Sequence, residues 1–477
     1  MAKDCKACVV GSGPNGLAAA IVLAQAGLAV DVFEAESTPG GGARTLPLTL
    51  PGFLHDFGSA VHPFGIGSPF FSSLPLDKYG LEWIHSPAPL AHPFDDGTAI
   101  TLERRFEDAR ATLGEDGNIW IDLMLPFVEH WKQLVLQVLG PVFAIPTHPL
   151  LMARFGMYGL LSAKVIATRF RSERTRGLFA GMAAHSFLAL DECLSGSFGM
   201  LLGIAAHAVG WPIPRGGAQS LTNALCSYLS SLGGRVRVSS RVESFAALSD
   251  YQLILCDLTP RQMVRVAGSS LSSGYKSKLE QFRYGPGAFK VDYALARPVP
   301  WKAPECLRAA TVHLGGTFDE IAASESSMRS GENAERPFVL FAQPSLFDST
   351  RAPAGKHTAW AYCHVPNGSR VDMLPRIESQ IERFAPGFRD CVLSRHVFSP
   401  ADLEAMDANL VGGDISGGQM NFRQLLFRPT RSQYSTSAKQ IYICSSSTPP
   451  GGGVHGMCGY HAAMKTLKDH SLIGRKS

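Results

Sequence analysis

The spacing of apolar residues along the chain first predicts a strand, a turn and a helix. Residues 7–10 form a short apolar run that stops at Gly11. Residues 16–26 are good helix formers, Gly27 ends them, and residues 29–33 are apolar again. Because crossovers of this kind have a fixed handedness, the two flanking strands should be parallel. The chain therefore begins with the first unit of a parallel sheet.

Beyond residue 75 the pattern changes twice. Prolines cluster at 87–93, and apolar helical segments then dominate up to residue 204. A helix at 216–232 and a strand with alternation at Val236, Val238 and Val242 follow. The remaining apolar runs predict strands at 252–256, 289–295, 337–342, 357–363, 391–397 and 441–445, and helices at 371–384 and 456–468. The strands between 289 and 397 indicate a second sheet.

Length and composition narrow the class of protein. A chain of 477 residues is too long for one ordinary core, so two intertwined domains are expected. With 45% hydrophobic and 18% charged residues it is globular rather than disordered, and a net charge of +4 gives no support to a nucleic-acid partner. The ten cysteines form no disulfide framework, and Met1-Ala2-Lys3-Asp4 leads directly into the first strand. We therefore expect a cytoplasmic protein without a signal peptide.

The turn after the first strand reads Gly11-Ser12-Gly13-Pro14-Asn15-Gly16. Gly11 permits the tight turn, Gly13 leaves room for phosphates, and Gly16 lets the helix pack on the strand. The free N–H groups at the helix start favour an anion. Glu34 ends the second strand about 20 residues later, where a carboxylate can accept hydrogen bonds from a ribose. The pattern predicts a dinucleotide site, and a tight turn without a ligand is the alternative.

Two further glycine-rich segments indicate which dinucleotide is bound. Residues 39–45 read PGGGART, and a flexible backbone with one arginine suits a pyrophosphate and flavin better than NAD. Residues 449–461 place Gly451, Gly452 and Gly453 between the last strand and the last helix. A helix start of this kind can stabilise negative charge on a reduced flavin ring. A surface loop is the alternative for the first segment, and two unrelated turns at opposite ends of the chain are the alternative for the second, but one shared FAD site explains both.

These segments, together with Pro214-Arg215-Gly216-Gly217-Ala218-Gln219-Ser220, resemble the phytoene desaturase-like branch of the FAD-dependent oxidoreductases. The sequence pattern resembles that of bacterial phytoene dehydrogenase-like members, and it is similar to the pyridine nucleotide-disulfide oxidoreductase domain-containing protein 2 group too. The resemblance covers essentially the whole chain. It is strong at both ends and in 205–260, and weak across 100–170 and 300–430.

The pattern and the resemblance together predict an α/β fold. A discontinuous Rossmann-type FAD-binding domain, a parallel sheet with helices on both faces, would comprise 1–75, 205–290 and 430–477. An inserted mixed α+β substrate domain with a helical lid would comprise 76–204 and 290–430. The family implies that the first glycine turn holds the pyrophosphate, that Glu34 holds the adenosine ribose, that the backbone of Val242 meets the adenine, and that 453–457 lie against the isoalloxazine ring. The implied cofactor-binding residues are Gly11, Gly13, Pro14, Asn15, Gly16, Glu34, Ala35, Gly41, Gly42, Ala43, Arg44, Val242, Gly453, Val454, His455 and Met457.

Two departures limit what the resemblance implies about chemistry. Carotenoid desaturases usually have two glycines directly before the arginine, whereas Ala43 precedes Arg44 here. The Cys-x4-Cys redox pair of disulfide reductases is missing near the first helix. Cys5-x-x-Cys8 lies on the incoming strand, where we expect core packing rather than redox chemistry.

His62 and His455 are the candidate catalytic residues. His62 follows the flavin-side loop, where a histidine can move a proton during hydride transfer or serve as a structural residue. His455 lies in the motif expected to touch the flavin, at a position where the family varies. The sequence contains no spacing typical of metal ligands, so no metal site is predicted.

Segment 151–176 is basic and partly apolar. It carries one acid, Glu173, against the cations Arg154, Lys164, Arg169, Arg171, Arg174 and Arg176. A basic amphipathic helix at a membrane surface has this composition and would admit a lipophilic substrate from the bilayer. A solvated lid helix or an oligomer contact can have the same basic and partly apolar composition. Peripheral contact with the inner face of a membrane is therefore one of these interpretations.

The predicted function is that of an FAD-dependent oxidoreductase. It would move a hydride between a C–H bond of an apolar, isoprenoid- or lipid-like substrate and flavin N5, as a desaturase or a saturase. An amine-oxidase-like enzyme that reduces O₂ is one alternative, and it would need an aromatic cage or a lysine near N5, neither of which the sequence locates. An FAD-binding scaffold without catalysis is the other.

Overall fold

The computed structural model describes residues 5–472. Residues 1–4, on which the expectation of a missing signal peptide rests, lie outside the described residues, as do residues 473–477. The strands are β1 Lys6–Val10, β2 Ala29–Phe33, β3 Thr45–Leu46, β4 His55–Asp56, β5 Trp83–Ile84, β6 Ala88–Pro93, β7 Ala99–Leu102, β8 Ile213–Pro214, β9 Arg235–Arg237, β10 Leu253–Cys256, β11 Gly287–Leu295, β12 Ala309–Leu314, β13 Val339–Ala342, β14 His357–Val365, β15 Val392–Phe398 and β16 Ile441–Ile443. The α-helices are α1 Pro14–Gln25, α2 Pro63–Ile66, α3 Phe106–Leu113, α4 Gly117–Val128, α5 Trp131–Val138, α6 Pro149–Gly159, α7 Ala163–Ala167, α8 Glu173–Ala184, α9 Ser195–Ala208, α10 Gln219–Ser231, α11 Pro260–Ala267, α12 Ser273–Glu280, α13 Phe318–Ser327, α14 Leu374–Phe384, α15 Pro400–Met406, α16 Phe422–Leu426 and α17 Met457–Asp469.

The first sheet is parallel and has the strand order β16-β10-β1-β2-β9. Ala7 and Val9 of β1 pack in the cluster that contains α1 and α17, whereas Cys8 and Val10 pack with residues of α11 and α12. Because both faces are covered, β1 and β10 are apolar at nearly every position rather than alternating. The prediction of a Rossmann-type parallel sheet with helices on both faces is confirmed.

One strand of this sheet is shorter than predicted. The alternation Val236, Val238, Val242 suggested a strand over the whole stretch, but β9 ends at Arg237. Ser239 has a φ of 49°, in the left-handed region, which ends the extended conformation. The chain then turns so that Val242 reaches the carboxyl edge of the sheet instead of continuing it.

The second sheet is mixed and has the order β15-β11-β14-β13-β12-β6-β7. Its strands pair antiparallel except for β12 and β6, which are parallel. Strands β6, β7 and β12 were not predicted. Pro89 and Pro93 disguise β6, because proline cannot donate to a strand ladder and is normally evidence against an inner strand. The predicted mixed second domain is confirmed, with these strands added.

The two faces of the second sheet differ in polarity. One face packs on α14 through Ile377, Ile381 and Phe384, and the alternating residues of β11, β13 and β14 that meet it are apolar. The strand register places a polar and aromatic row on the other face, consisting of Lys290, Asp292, His313, Trp360 and Tyr362. A sheet face turned towards an ordinary core would be apolar, so this row marks a different environment.

The predicted domain division stays a prediction. The strands of the parallel sheet come from 6–33, 235–256 and 441–443, and those of the second sheet come from 88–102 and 287–398. Both sets fall within the predicted domains apart from the first residues of β11. The loops at 406–420, which the division assigns to the substrate domain, lie beside Gly41 and Asp257 on the wall described below.

Helix α17 lies against the start of α1 with no room for a side chain. A Cβ on Gly459 would lie 1.8 Å from the carbonyl oxygen of Asn15. We expect Gly459→Ala to lower the free energy of unfolding by about 1–3 kcal/mol, because the helix backbone must move. The control is Gly156→Ala in α6, where no atom lies within 4 Å of the added Cβ and better helix propensity should add up to about 1 kcal/mol. Urea unfolding measures both, and a wild-type midpoint for Gly459→Ala would contradict the contact.

Candidate functional site

A single long cavity joins the two sheets. Its first half lies at the carboxyl ends of β1, β2 and β10, where open α/β sheets bind ligands. Its second half passes His62 and reaches the polar and aromatic row of the second sheet at Thr311, Trp360 and Tyr362. The cavity therefore connects a dinucleotide-type edge to a separate chamber.

The glycine turn is shaped by close backbone approach. Gly11 has a φ of +100°, and a Cβ on Gly16 would lie 2.1 Å from the carbonyl oxygen of Gly11. A Cβ on Gly13 would lie 2.8 Å from Oδ2 of Asp257. Asn15 lines the cavity and its Oδ1 is buried without a hydrogen-bond partner among residues 5–472. The start of α1 is therefore accessible from the cavity, whereas close packing leaves no space on its other sides.

Asp257 is a site residue that the sequence reasoning missed. It follows β10, and its Oδ2 accepts a hydrogen bond from the Gly16 N–H at 2.9 Å. Burial, together with the neighbouring carboxylates Asp407 and Glu34, raises the pKa of Asp257 to about 7, although the hydrogen bond from Gly16 opposes this shift. The available signal was the predicted strand at 252–256, because a residue directly after a strand of a parallel sheet lies at the carboxyl edge where ligands bind.

Glu34 braces the turn from the second strand. Its Oε2 accepts hydrogen bonds from the Ser12 N–H at 2.9 Å and from the Ser12 hydroxyl, and its Oε1 accepts from the Glu36 N–H at 2.9 Å. The carboxylate also lines the cavity beside Arg241 and Val242. It therefore holds the loop in shape at the position where a ribose is expected.

Arg44 is buried, with 3% of its surface exposed, and ties two loops together. Its Nε donates to the carbonyl of Gly41 and its Nη2 to the carbonyl of Met406, both at 2.8 Å. The guanidinium lies over the ring of Phe57, 5.0 Å from the centroid. Arg44 thus fixes the second glycine segment while remaining on the cavity wall.

Most of the predicted cofactor-binding residues lie on this one wall: Gly11, Gly13, Pro14, Asn15, Glu34, Ala35, Gly41, Gly42, Ala43, Arg44, Val242, Gly453 and Val454. Gly16, His455 and Met457 do not. Gly16 packs under the turn instead. The Nδ1 of His455 accepts a hydrogen bond from the Met457 N–H at 3.0 Å and so stabilises the start of α17.

His62 lies on the cavity wall between the two halves. It is 2% exposed, and both ring nitrogens are buried without a hydrogen-bond partner in the described part of the chain. Burial lowers the pKa of His62 to about 4, so the ring is neutral at neutral pH. A neutral imidazole with free nitrogens can still hold or release a proton for a bound molecule.

The chamber contains residues that the sequence did not point to. Trp360 and Tyr362 stack with their ring centroids 5.6 Å apart and their planes at 19°. The Nζ of Lys290 lies 5.6 Å from the Trp360 ring and pairs with Asp292. An aromatic pair and a buried lysine are therefore present near the chamber. The i, i+2 spacing of Trp360 and Tyr362 on the predicted strand at 357–363 indicated that both lie on one face of the sheet. That Lys290 lies beside them follows only from the pairing of neighbouring strands.

A buried polar network supports the wall from behind. Asp56 and Arg351 are both fully buried and lie 2.8 Å apart. Asp56 also accepts hydrogen bonds from the Thr45 hydroxyl at 2.7 Å and from the Ala218 N–H at 2.8 Å. These bonds join β3, β4 and the loop before α10 to the segment between β13 and β14. Breaking one partner of such a pair leaves an uncompensated charge in the interior.

The residues present fit FAD. The turn offers helix N–H groups and space for a pyrophosphate, and the unpaired Asn15 Oδ1 faces the same region. Glu34 stands where a ribose hydroxyl would donate. The glycine segments at 41–42 and 452–453 continue the wall towards the chamber, as a flavin-sized extension requires.

Comparison with known proteins agrees with this geometry. Residues 9–72 match the family of NAD(P)-binding Rossmann-like domains. Pyridine nucleotide-disulfide oxidoreductase domain-containing protein 2 of Rattus norvegicus is 24% identical over 97% of this chain and 93% of its own length. A phytoene dehydrogenase of Streptomyces griseus is 26% identical over 94% of this chain and 91% of its own. The chain is an oxidoreductase that is similar to phytoene dehydrogenases over most of its length. The predicted resemblance is thereby confirmed.

Solved structures share the whole fold of this chain. An oxidoreductase of Methanosarcina mazei matches 97% of this chain and all of its own with a TM-score of 0.64 and 16% identity. A putrescine oxidase variant matches 99% of this chain and all of its own with a TM-score of 0.59 and 15% identity. At such identities the comparison shows the fold, and it confirms the predicted fold class.

The glycine turn makes a direct prediction about cofactor retention. Gly13→Val should abolish FAD binding, because its Cβ would meet the Asp257 carboxylate and its methyl groups would fill the phosphate space. The measurement is bound flavin per purified chain. Gly274→Ala in α12, where no atom lies within 4 Å of the added Cβ, is the control and should retain full flavin. Wild-type flavin content in Gly13→Val would show that the turn does not hold the cofactor.

Proposed function

We propose that this protein moves a hydride between a C–H bond of a lipophilic substrate and N5 of FAD. The observation that carries the proposal is the continuous cavity, which leads from the glycine turn past His62 into a largely apolar chamber. Such a chamber places a substrate directly beside the end of the bound dinucleotide. The proposal covers both directions of transfer, desaturation and saturation.

The protein's own residues bind, orient and exclude water. When bound, FAD supplies the hydride acceptor or donor. The start of α1 stabilises the pyrophosphate charge, and Arg44 holds the second glycine segment against it. The chamber wall of Phe187, Phe198, Leu202, Trp211 and Leu340 keeps water from the reacting bond. His62, neutral and unpaired, is the group we propose to hold or move a proton.

A second candidate function is an oxidase that uses O₂. The stacked Trp360 and Tyr362 line the cavity and supply an aromatic pair that this alternative would use, whereas Lys290 lies beside Trp360 but is not on the cavity wall. The two functions differ in what reoxidises the reduced protein. The fold alone does not separate them, because the putrescine oxidase structures share it.

The test is anaerobic photoreduction of the purified holoenzyme followed by mixing with acceptors. We expect slow reoxidation by O₂ and faster reoxidation by an unsaturated lipophile, a quinone or NAD(P)⁺. Rapid reoxidation by O₂ with release of peroxide would favour the oxidase instead. A flavin that exchanges electrons with none of these compounds would leave only the scaffold.

We also propose that this is a cytoplasmic protein that touches a membrane surface. Among residues 5–472, thirteen large hydrophobic residues are exposed, and seven of them lie between 136 and 165. Ile145 is 90% exposed and Leu150 is 86% exposed, in a segment, 143–150, whose residues are all exposed and uncharged apart from His148. Lys164, Arg169 and Arg171 follow on the exposed surface. Apolar side chains flanked by cations suit an anionic lipid surface.

The structure of the basic segment 151–176 differs from the predicted single helix. Residues 151–176 form α6, α7 and the start of α8 rather than one amphipathic helix. Arg174 pairs with Asp96, and Arg176 pairs with Glu173, so these two are less available to lipid than predicted. No helix in the described range is long and apolar enough to span a bilayer.

Flotation with vesicles tests the membrane proposal. Wild-type protein should float with vesicles of phosphatidylglycerol and phosphatidylethanolamine. Replacing both Ile145 and Leu150 by serine should cut binding about tenfold or more, because each exposed side chain contributes about 1.5–3 kcal/mol on insertion. The control replaces Leu307 and Val371, which are each 41% exposed, by serine and should float like wild type. Wild-type protein that stays with the soluble fraction would contradict the proposal.

A further inference from the structure

A pair of histidines stands in the wall of the chamber. His185 follows α8 and lines the cavity, and His313 on β12 is fully buried behind it. Their Nε2 atoms lie 3.0 Å apart, at hydrogen-bond distance. The proposed hydride transfer uses neither residue, so the pair needs an explanation of its own.

Packing around His313 decides which nitrogens carry protons. Its Nδ1 is buried without a partner among residues 5–472, and a Cβ on Gly181 would lie 2.5 Å from it. Burial lowers the pKa of His185 to about 3 and that of His313 well below its usual value, so each ring carries one proton. A sealed N–H without an acceptor is the rarer and costlier arrangement. His313 therefore donates from Nε2 to Nε2 of His185.

This hydrogen bond fixes the other ring as well. Because Nε2 of His185 accepts, the single proton of His185 is on Nδ1. That nitrogen makes no hydrogen bond within the described residues, and packing does not seal it as it seals Nδ1 of His313. The surrounding chamber wall is mainly apolar, formed by Phe187, Phe198, Leu202, Trp211 and Leu340. One oriented donor thus stands among apolar side chains.

We propose that the Nδ1–H of His185 donates a hydrogen bond to an oxygen of the substrate, which is therefore a lipophile with a carbonyl or carboxylate group rather than a bare hydrocarbon. The proposal rests on the proposed function, because it takes the chamber to be the substrate site. His185 determines specificity, and His313 is a positioning residue that sets the tautomer of His185. A site built around one donor discriminates strongly against ligands that leave the donor unpaired.

Ligand binding to the FAD-loaded wild-type protein tests this inference. Tridecan-2-one has a carbonyl group where tridecane has a CH2 group, and the change in flavin absorbance on titration reports the Kd of each. We expect the ketone to bind about tenfold more tightly, as one satisfied hydrogen bond in a dry site allows. Dodecanoate distinguishes a carboxylate preference from a carbonyl preference. In His185→Phe the ratio of ketone to hydrocarbon affinity should fall to about one.

Variants of His313 test the positioning role. His313→Leu removes the donor to His185 and should lower the ratio, whereas His313→Gln can still donate an N–H and should preserve much of it. The matched control is His92→Gln, because His92 is buried on the adjacent strand β6, contacts the Gly316 carbonyl at 2.7 Å and is not on the cavity wall. It should leave the ratio unchanged.

The outcomes separate this inference from the proposed function. A wild-type protein that retains FAD and is photoreduced, yet binds ketone and alkane equally or neither of them, overturns the inference and leaves hydride transfer standing. A wild-type protein without FAD overturns the proposed function and this inference with it. If the His185 and His313 variants fail to fold, the wild-type ratio alone decides.

Discussion

The close approach of backbone to both sides of α1 is the constraint on which the site depends. At its start, Gly16 meets the carbonyl oxygen of Gly11, and Gly459 of α17 meets the carbonyl oxygen of Asn15. Neither contact leaves space for a Cβ. Because the helix is held this close, its N–H groups point along the carboxyl edge of the sheet. The first and last segments of the chain thus become one binding edge, although more than 400 residues separate them in sequence.

A second constraint holds the chamber to this edge. The buried pair Asp56–Arg351 joins the flavin-side loops to the second domain, and Ala218 donates to the same carboxylate. The Pro214–Ser220 motif therefore has a structural part in this protein. A Cβ on Gly217 would lie 2.3 Å from the Thr45 hydroxyl oxygen, so the motif packs on the network behind the wall. Two sheets with separate cores can then form one cavity.

The helical walls of the chamber and the sheet beneath it differ in polarity, and this difference bears on the chemistry. Its helical walls are apolar, which suits a lipophilic substrate, while the sheet beneath carries histidines, a lysine and an aromatic pair. The hydride-transfer and oxidase interpretations draw on different parts of this surface. The His185–His313 pair is separate from both and concerns recognition rather than reaction. The membrane contact proposed for the exposed apolar segment at 143–150 would bring the protein to a source of lipophiles.

The sequence by itself determined the cofactor edge. The turn at 11–16, Glu34 and the segments at 39–45 and 449–453 are local patterns, because glycine placement and strand ends are read within a few residues. Only the tertiary structure decided the chamber. His185, Lys290 and Trp360 acquire their roles from strand order and register, which bring together residues far apart in sequence. The sequence did not predict strand β6, because its prolines are evidence against an inner strand. His455 stabilises the start of a helix instead of lining the cavity, since the direction of a side chain depends on packing that no local pattern contains.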